Sequence, residues 1–415
     1  MNYPDSVQFL YALGNEIKTA KLGLERIRAL LDALGRPQDS LHFVHVAGTN
    51  GKGSVCAMLE SALRAAGRRT GLYTSPHLAE PTERIRIDGE AISAERFADA
   101  FRQIHVLSEN LVAEGVIDMH PTYFETVTAM ALLVFEEERV DMVVLEVGLG
   151  GRLDATNVVH PDLAVITPID FDHEAFLGKS LESIAGEKAG ILKPGVPAVF
   201  ARQRPEAARV LEAREVNTRW TEHWPVSCLE LDARGSRFLL GDLRLHCPLA
   251  GEHQVENAVT AAVALLRLGI PGSAIERGIA NVSWPGRLER VCQSPEIILD
   301  GAHNPAGARA LAEYIARFYS GRRVRLIFGA MRDKAVEEVT GILFPLAIQV
   351  IVTAPRQPRA ISPETLCELS DHANIIAAAG IEAALALVSD ASAEDAIFIT
   401  GSLFLVAEAR AILIK

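Results

Sequence analysis

Apolar residues in this chain fall into short continuous runs separated by longer stretches of helical periodicity. LHFVHVAG (41–48) is short, β-branched and ended by glycine, and reads as a buried strand. SVCAMLESALRAA (54–66) has the spacing of a helix and stops at Gly67. RTGLYT (69–74) reads as a second strand. VDMVVLEVG (140–148) and DLAVIT (162–167) are apolar throughout, as strands of a parallel sheet covered on both faces must be. Helical patterns occupy 91–114, 122–138 and 251–268. The interval 196–249 has less helical signal and is expected to hold a few antiparallel strands. Turn residues crowd WPGRLERVCQSPE (284–296). Beyond it, EIILDG, VRLIFGA, AIQVIVTA and AIFITGS alternate with helical patterns. The pattern predicts two α/β domains, 1–288 and 289–415, with ligands gathering at the carboxyl ends of the strands.

Composition narrows the function classes. At 415 residues, with 49% hydrophobic and 23% charged positions, the chain can bury two or three ordinary globular cores. A net charge of −12 argues against a nucleic-acid partner, yet leaves room for small anions, which need only local cations and backbone N–H groups. No apolar run reaches the roughly 18 residues of a membrane span. The opening MNYPDSVQFLYALG lacks the layout of a signal peptide. The five cysteines are scattered without C-x-x-C spacing, which fits reduced thiols in a cytoplasmic protein and neither a disulfide framework nor a cysteine zinc site.

GTNGKGS (48–54) lies between a predicted strand and a predicted helix, the context of a phosphate loop. Glycine backbone, helix N-terminus and the Lys52 charge would all favour phosphate oxygens. The usual loop places a Mg²⁺-binding hydroxyl directly after the lysine and a glycine five residues before the second one. Here those positions are Gly53 and Val46, and Ser54 comes one step late. Ser75, in SPHL (75–78) at another strand end, is the candidate for the missing hydroxyl. Glu146 opens EVGLGGRLDATN at a third strand end, where a carboxylate can ligate Mg²⁺. The strand at 162–167 runs out into Asp170, Asp172 and His173. Against these stand plainer roles: a glycine turn, a strand-end acid, a hydrogen-bonded histidine, a solvated Lys188, and helix capping by Thr122 with Tyr123 and Phe124 in the core. In the second domain, LDGAHNPAGARAL again reads strand, polar loop and helix, with Asp300 and His303 on the loop. Polar loops at the strand ends of both domains point to a reaction centre between them.

GTNGKGS, SPHL, TYFE, EVGLGGRLDATN, DH-x-x-x-LG, EKAGI, GEHQ-x-x-NA, PGRLE and DGAHNP occur in that order over nearly the whole chain. Together they resemble the folylpolyglutamate synthase/dihydrofolate synthase family of Mur-ligase-like ATP-dependent amide ligases. The resemblance implies a P-loop-containing central ATPase domain followed by a smaller Rossmann-like domain. ATP would convert a carboxylate of dihydropteroate or a folate into an acyl phosphate, which the amine of L-glutamate attacks. It implies Thr49, Asn50, Gly51, Lys52, Gly53 and Ser54 as the triphosphate cradle, with Asn257, Arg287 and Asp300 toward the rest of the nucleotide. Ser75, Glu146 and His173 would ligate Mg²⁺, and Lys188 matches a lysine that the family carries as an N6-carboxylated (carbamylated) side chain. Leu22, Gly23, Leu24, Thr122, Tyr123, Phe124, Glu125, Leu153, Asp154 and Ala155 resemble pterin-binding segments. His303 and Ser402 would seat glutamate. Lys188, His173 and Lys52 form the expected catalytic set. PGRLE in place of the commoner wording and Ala335 after the MRDK run depart from the pattern. A cell-wall Mur ligase would carry a further N-terminal domain before its phosphate loop, and a non-catalytic ATP-binding regulator would have no need of Lys52, Glu146, His173 and Lys188. Bifunctional use of dihydropteroate and folates is expected, by a cytoplasmic monomer with no membrane partner.

Overall fold

A computed structural model describes residues 1–13, 23–214, 216–332 and 335–414. The chain forms two compact units. The first comprises Met1–Ile169, Lys179–Pro225 and Asn257–Asn281, and the second comprises Asp170–Gly178, Val226–Glu256 and Val282–Lys415.

The first unit is organised by an eight-stranded sheet. Its strands are β1 (Phe43–Ala47), β2 (Thr70–Tyr73), β3 (Ile85–Ile87), β4 (Glu90–Ala91), β5 (Met142–Glu146), β6 (Leu163–Ile166), β7 (Ala198–Phe200) and β8 (Thr218–Trp220). They lie in the order β4-β3-β2-β5-β1-β6-β7-β8. From β2 to β8 every pairing is parallel, and the β3 and β4 edge is antiparallel. The continuous apolar runs of the sequence are the central strands, and all five residues of β1 are buried. A run without polar alternation can be satisfied only where both faces are covered. Helices α1 (Tyr3–Ala12), α2 (Glu25–Ala33), α3 (Lys52–Ala65), α4 (Ala94–Ala113) and α5 (Tyr123–Glu137) belong to this unit. One core joins Leu10, Ile27, Leu30, Phe97, Phe101 and Phe135 to Phe43, Tyr73 and Leu145 of the sheet.

Order in the sheet follows from register. Val46 of β1 sits opposite Glu146 of β5, Tyr73 of β2 opposite Leu145, and Ala47 opposite Ile166 of β6. The segments leaving β1, β2, β5 and β6 therefore emerge side by side at one carboxyl edge, where such sheets bind ligands.

In the second unit, β9 (Val226–Asp232), β10 (Gly235–Leu240) and β11 (Leu243–Cys247) make an antiparallel three-stranded sheet, as expected for that stretch. The interval 196–249 also holds the helix Pro205–Glu212, which the sequence reading did not assign. A six-stranded sheet follows, of β12 (Glu289–Gln293), β13 (Glu296–Leu299), β14 (Arg323–Phe328), β15 (Gln349–Val352), β16 (Ile375–Ala377) and β17 (Asp395–Thr400), in the order β12-β13-β17-β14-β15-β16. Only β12 runs antiparallel to its neighbour. Buried Arg325 on β14 is held by Asp395 of β17 at 3.1 Å and by Asp390 at 2.6 Å, so its charge is paired as burial requires.

Candidate active site

The loop after β1 turns tightly into α3. Gly48 has φ +147° and Gly51 has φ +84°, values that a side chain would strain. Space is equally restrictive: a Cβ on Gly48 would stand 1.9 Å from Thr167 Oγ1, and one on Gly51 would stand 2.3 Å from Asn257 Oδ1. Asn257, from the helix Glu252–Arg267, thus lies directly against the loop. The amides of Thr49 and Asn50 donate to Pro168 O at 2.9 and 3.2 Å, which pins the loop to the end of β6. Lys52 Nζ donates to Thr49 O at 3.1 Å. Ser54, in the first turn of α3, is buried, and no side chain caps that helix. Its N-terminal turn of amide groups and its dipole are arranged as in an anion site.

Lys188 ends the helix Leu181–Lys188 and is only 4% exposed. Its Nζ donates to Gly48 O at 2.8 Å, so a residue distant in sequence closes on the first glycine of the loop. At the neighbouring strand ends, the Ser75 amide donates to Glu146 Oε2 at 3.1 Å, and Glu146 is buried. Ser75 and Glu146 are therefore brought together, with Gly48 and Lys188 at the same sheet edge. Behind them, burial and then the Glu146 charge push the Cys56 thiol well above its usual range, while Lys52 pulls it down. Cys56 is an inert core residue.

The 148–157 segment is folded by its own polar groups. Asp154 accepts from Leu149 N at 2.8 Å, Thr156 N at 3.0 Å and Thr156 Oγ1 at 2.5 Å. Burial raises its carboxyl pKa, and these donors oppose the rise. Thr156 Oγ1 also meets His45 Nε2 at 2.9 Å, and burial of that imidazole, followed by the Lys193 charge, lowers it to about 3. Asp154 is thus a residue that shapes the loop. A Cβ on Gly148 would lie 2.5 Å from Phe124 Cζ, so this glycine makes room for a half-buried ring. Tyr73 borders the same ring at 6.0 Å.

Thr122 caps α5, and Glu125 answers it: Thr122 N donates to Glu125 Oε2 at 2.8 Å, and Glu125 N to Thr122 Oγ1 at 3.3 Å. Glu125 also pairs with buried Arg26 at 3.3 Å. The plainer reading of Thr122, helix capping, is what the structure displays. Tyr123 is buried, stacked on Tyr11 at 5.8 Å and lying 5.0 Å beneath the Arg84 guanidinium. Leu153 is half-buried and Ala155 buried beside this segment, while Gly23 and Leu24 precede α2. Leu22 lies outside the described residues.

His173 belongs to the second unit. There Asp172, one of the three polar residues that follow the 162–167 strand, is the hub: its oxygens lie 3.8 Å from His173 Nε2 and 3.9 Å from His303 Nε2, and it accepts from Asn304 Nδ2 at 3.3 Å. A histidine pair around an acid is invisible in sequence, because 130 positions separate its halves. His303 is oriented by Gly301 O, 2.7 Å from its Nδ1. Asp300 is buried and accepts from Leu288 N and Ala302 N, each at 3.0 Å. Burial raises its carboxyl pKa, opposed first by the Arg287 charge and then by these amides. Arg287 lines a cavity of about 370 Å³ with Trp284, Pro285, Leu288 and Arg234. Glu289, where the sequence departs from the common wording, accepts from Gly286 N at 2.9 Å and pairs with Arg410 at 3.0 Å, tying this turn to the last helix. The Ser402 hydroxyl caps that helix, accepting from Phe404 N at 3.2 Å.

Comparison with known proteins places the chain in a family. Residues 46–265 match the Mur ligase middle domain, and 286–403 match the Mur ligase glutamate ligase domain. The chain is 39% identical over 371 residues to a dihydrofolate synthase/folylpolyglutamate synthase of Mycobacterium tuberculosis, covering 83% of this chain and 76% of that one. It is 35% identical to a Bacillus subtilis protein of the same name, covering 94% of each. The structure of a Mycobacterium tuberculosis folylpolyglutamate synthase complexed with ADP and AMPPCP superposes with a TM-score of 0.92 at 36% identity, covering 100% of this chain and 99% of that chain.

Proposed function

This chain belongs to the folylpolyglutamate synthase/dihydrofolate synthase family of Mur ligases, and from that membership we propose that it uses both dihydropteroate and folates as acceptors. It is an ATP-dependent amide ligase of folate metabolism. ATP phosphorylates the acceptor carboxylate, the glutamate amine attacks the carbonyl of the acyl phosphate, and the tetrahedral intermediate expels phosphate as the amide forms. A carboxylate needs this activation because it is a poor electrophile with a poor leaving group. The protein contributes position and charge.

The observation that carries the reading is the Ser75–Glu146 pair at the lip of the β1 loop, with Lys188 held against Gly48. We assign phosphate binding to Thr49 through Ser54, with Lys52 as the local cation, and nucleotide contacts to Asn257, Arg287 and Asp300. The Ser75 hydroxyl and Glu146 carboxylate are hard oxygen donors that suit Mg²⁺, and His173 is assigned with them. Bound there, Mg²⁺ would neutralise charge on the phosphoryl oxygens. Lys188 is assigned a carbamate: its neutral amine adds CO₂, sheds a proton and becomes an oxygen ligand. Half-buried Phe124, with Gly148 against it, offers a ring for pterin stacking, and Leu153 and Ala155 are assigned to the same pocket. His303 and Ser402 are assigned to glutamate, Ser402 through the helix it caps. The same reading has the 1–288 part bind ATP and acceptor and the 289–415 part bind glutamate, in a cytoplasmic monomer that sediments as one chain.

The experiment is an ADP-release assay with L-glutamate and either dihydropteroate or tetrahydrofolate. Turnover with both is expected. Turnover with one alone would remove the bifunctional reading, and ATP binding without turnover on either would remove the ligase assignment.

A further inference from the structure

Away from the sheet edge, three potential metal ligands converge on one face of α4. His105 and Glu109 are one helical turn apart, so their side chains share a face, and His120 closes on them from the segment between α4 and α5. One ligand atom from each lies within 4.8 Å of the others. Across a tetrahedral site with bonds near 2.1 Å the corresponding spacing is about 3.4 Å. The gap asks for movements on the order of 1 Å, and Glu109, whose side chain is 60% exposed, has the freedom to make them.

The nitrogens themselves are the second observation. His105 Nδ1 and His120 Nε2 are both buried and, among the described residues, have no hydrogen-bond partner. The other nitrogen of His120, Nδ1, lies 2.9 Å from Pro121 O. A carbonyl can only accept, so Nδ1 carries a proton, and in the neutral ring Nε2 keeps its lone pair. That is the outer-shell arrangement by which histidine ligands are oriented. The walls are aromatic: Phe9 meets the His105 and His120 rings edge-on at 4.6 and 5.4 Å, and Phe101 stacks on His105 at 5.5 Å. Two unsatisfied imidazole nitrogens in such a place cost stability, and a cation would relieve that cost.

We propose that His105, Glu109 and His120 form a site for a borderline transition-metal dication such as Zn²⁺, separate from the Mg²⁺ ligands of the reaction. Two imidazoles and one carboxylate are the donor set that favours this class over Mg²⁺ or Ca²⁺. The bound ion clamps the 114–121 segment to α4. That segment leads directly into the Thr122 cap of α5.

The test is titration of EDTA-treated full-length protein with Co²⁺ alone, followed by its visible absorption, and then displacement by Zn²⁺. Wild-type protein takes up one equivalent with the intense bands of low-coordinate Co²⁺. His120→Gln and His105→Ala each weaken that equivalent at least ~10-fold, in line with the loss of one of three ligands, and exposed His223→Ala leaves it unchanged. Zn²⁺ also slows amide hydrogen exchange across 114–121 in wild type and not in His120→Gln. Circular dichroism confirms that the variants are folded, and His120→Gln keeps a polar group where alanine would open a cavity. Equal Co²⁺ binding by wild type and both histidine variants, or no tetrahedral-type equivalent in wild type, overturns the proposal.

Discussion

Lys188 decides most at the residue scale. In sequence it is one lysine in GEKAGILKPG, and nothing local separates it from a solvated surface residue. In the fold it is buried with its Nζ 2.8 Å from Gly48 O, at the start of the phosphate loop. Lys188→Ala removes this contact and the proposed carbamate, and turnover is expected to fall by about 10²-fold or more; near-normal turnover in a steady-state assay would take Lys188 out of the chemistry. Gly53 is the complementary case. It has no hydroxyl for a metal, and Ser75 stands beside Glu146 with one. Ser75→Ala should therefore raise the Mg²⁺ concentration needed for half-maximal turnover more than Gly53→Ala does. The reverse ranking would move the metal ligand back into the β1 loop. Polar residues at strand ends were legible because each follows a buried run directly. The Lys188–Gly48 contact and the Asp172 hub were not, since both are made by segments over a hundred positions apart.

Elements were read most reliably where the chain is apolar without interruption. β1, β5 and β6 fall inside the runs that predict them, because a parallel strand buried on both faces has no polar alternation to blur it. The helix pattern at 91–114 shrinks to Ala94–Ala113, since Glu90–Ala91 is spent on a hairpin with β3 and Ser93 caps the helix. Capping also governs α5. Thr122 and Glu125 satisfy its first turn reciprocally, and Thr122→Ala should lower unfolding free energy by about 1 kcal/mol in a urea titration. β17 supplies a pH signal. Burial alone would raise the Asp395 carboxyl pKa, but donors from Ser392 and the charges of Arg325 and Arg323 outweigh it and hold the group below its ordinary range. A depressed carboxylate contributes stability at pH above its unfolded value near 3.9 and loses it as pH falls through the folded value. The wild-type urea midpoint should thus drop between pH 5 and 3 more steeply than that of Asp395→Asn, which starts lower at neutral pH. Parallel curves would show that Asp395 carries no such linkage.

For the whole molecule, net charge and composition say little of chemistry, whereas the order of motifs along the chain carries it. A net charge of −12 is compatible with the proposed site for polyanionic ATP because Lys52 and a helix N-terminus supply positive potential locally. In the proposed reaction an acceptor carboxylate becomes an acyl phosphate before glutamate attacks. Isotope transfer tests it most directly. Dihydropteroate labelled with ¹⁸O in its carboxylate is incubated with the enzyme, Mg-ATP and L-glutamate, and the released phosphate is analysed by mass spectrometry. Activation by phosphorylation predicts one labelled oxygen in each phosphate released, in step with dihydrofolate formation. Dihydrofolate formed with unlabelled phosphate would contradict the account.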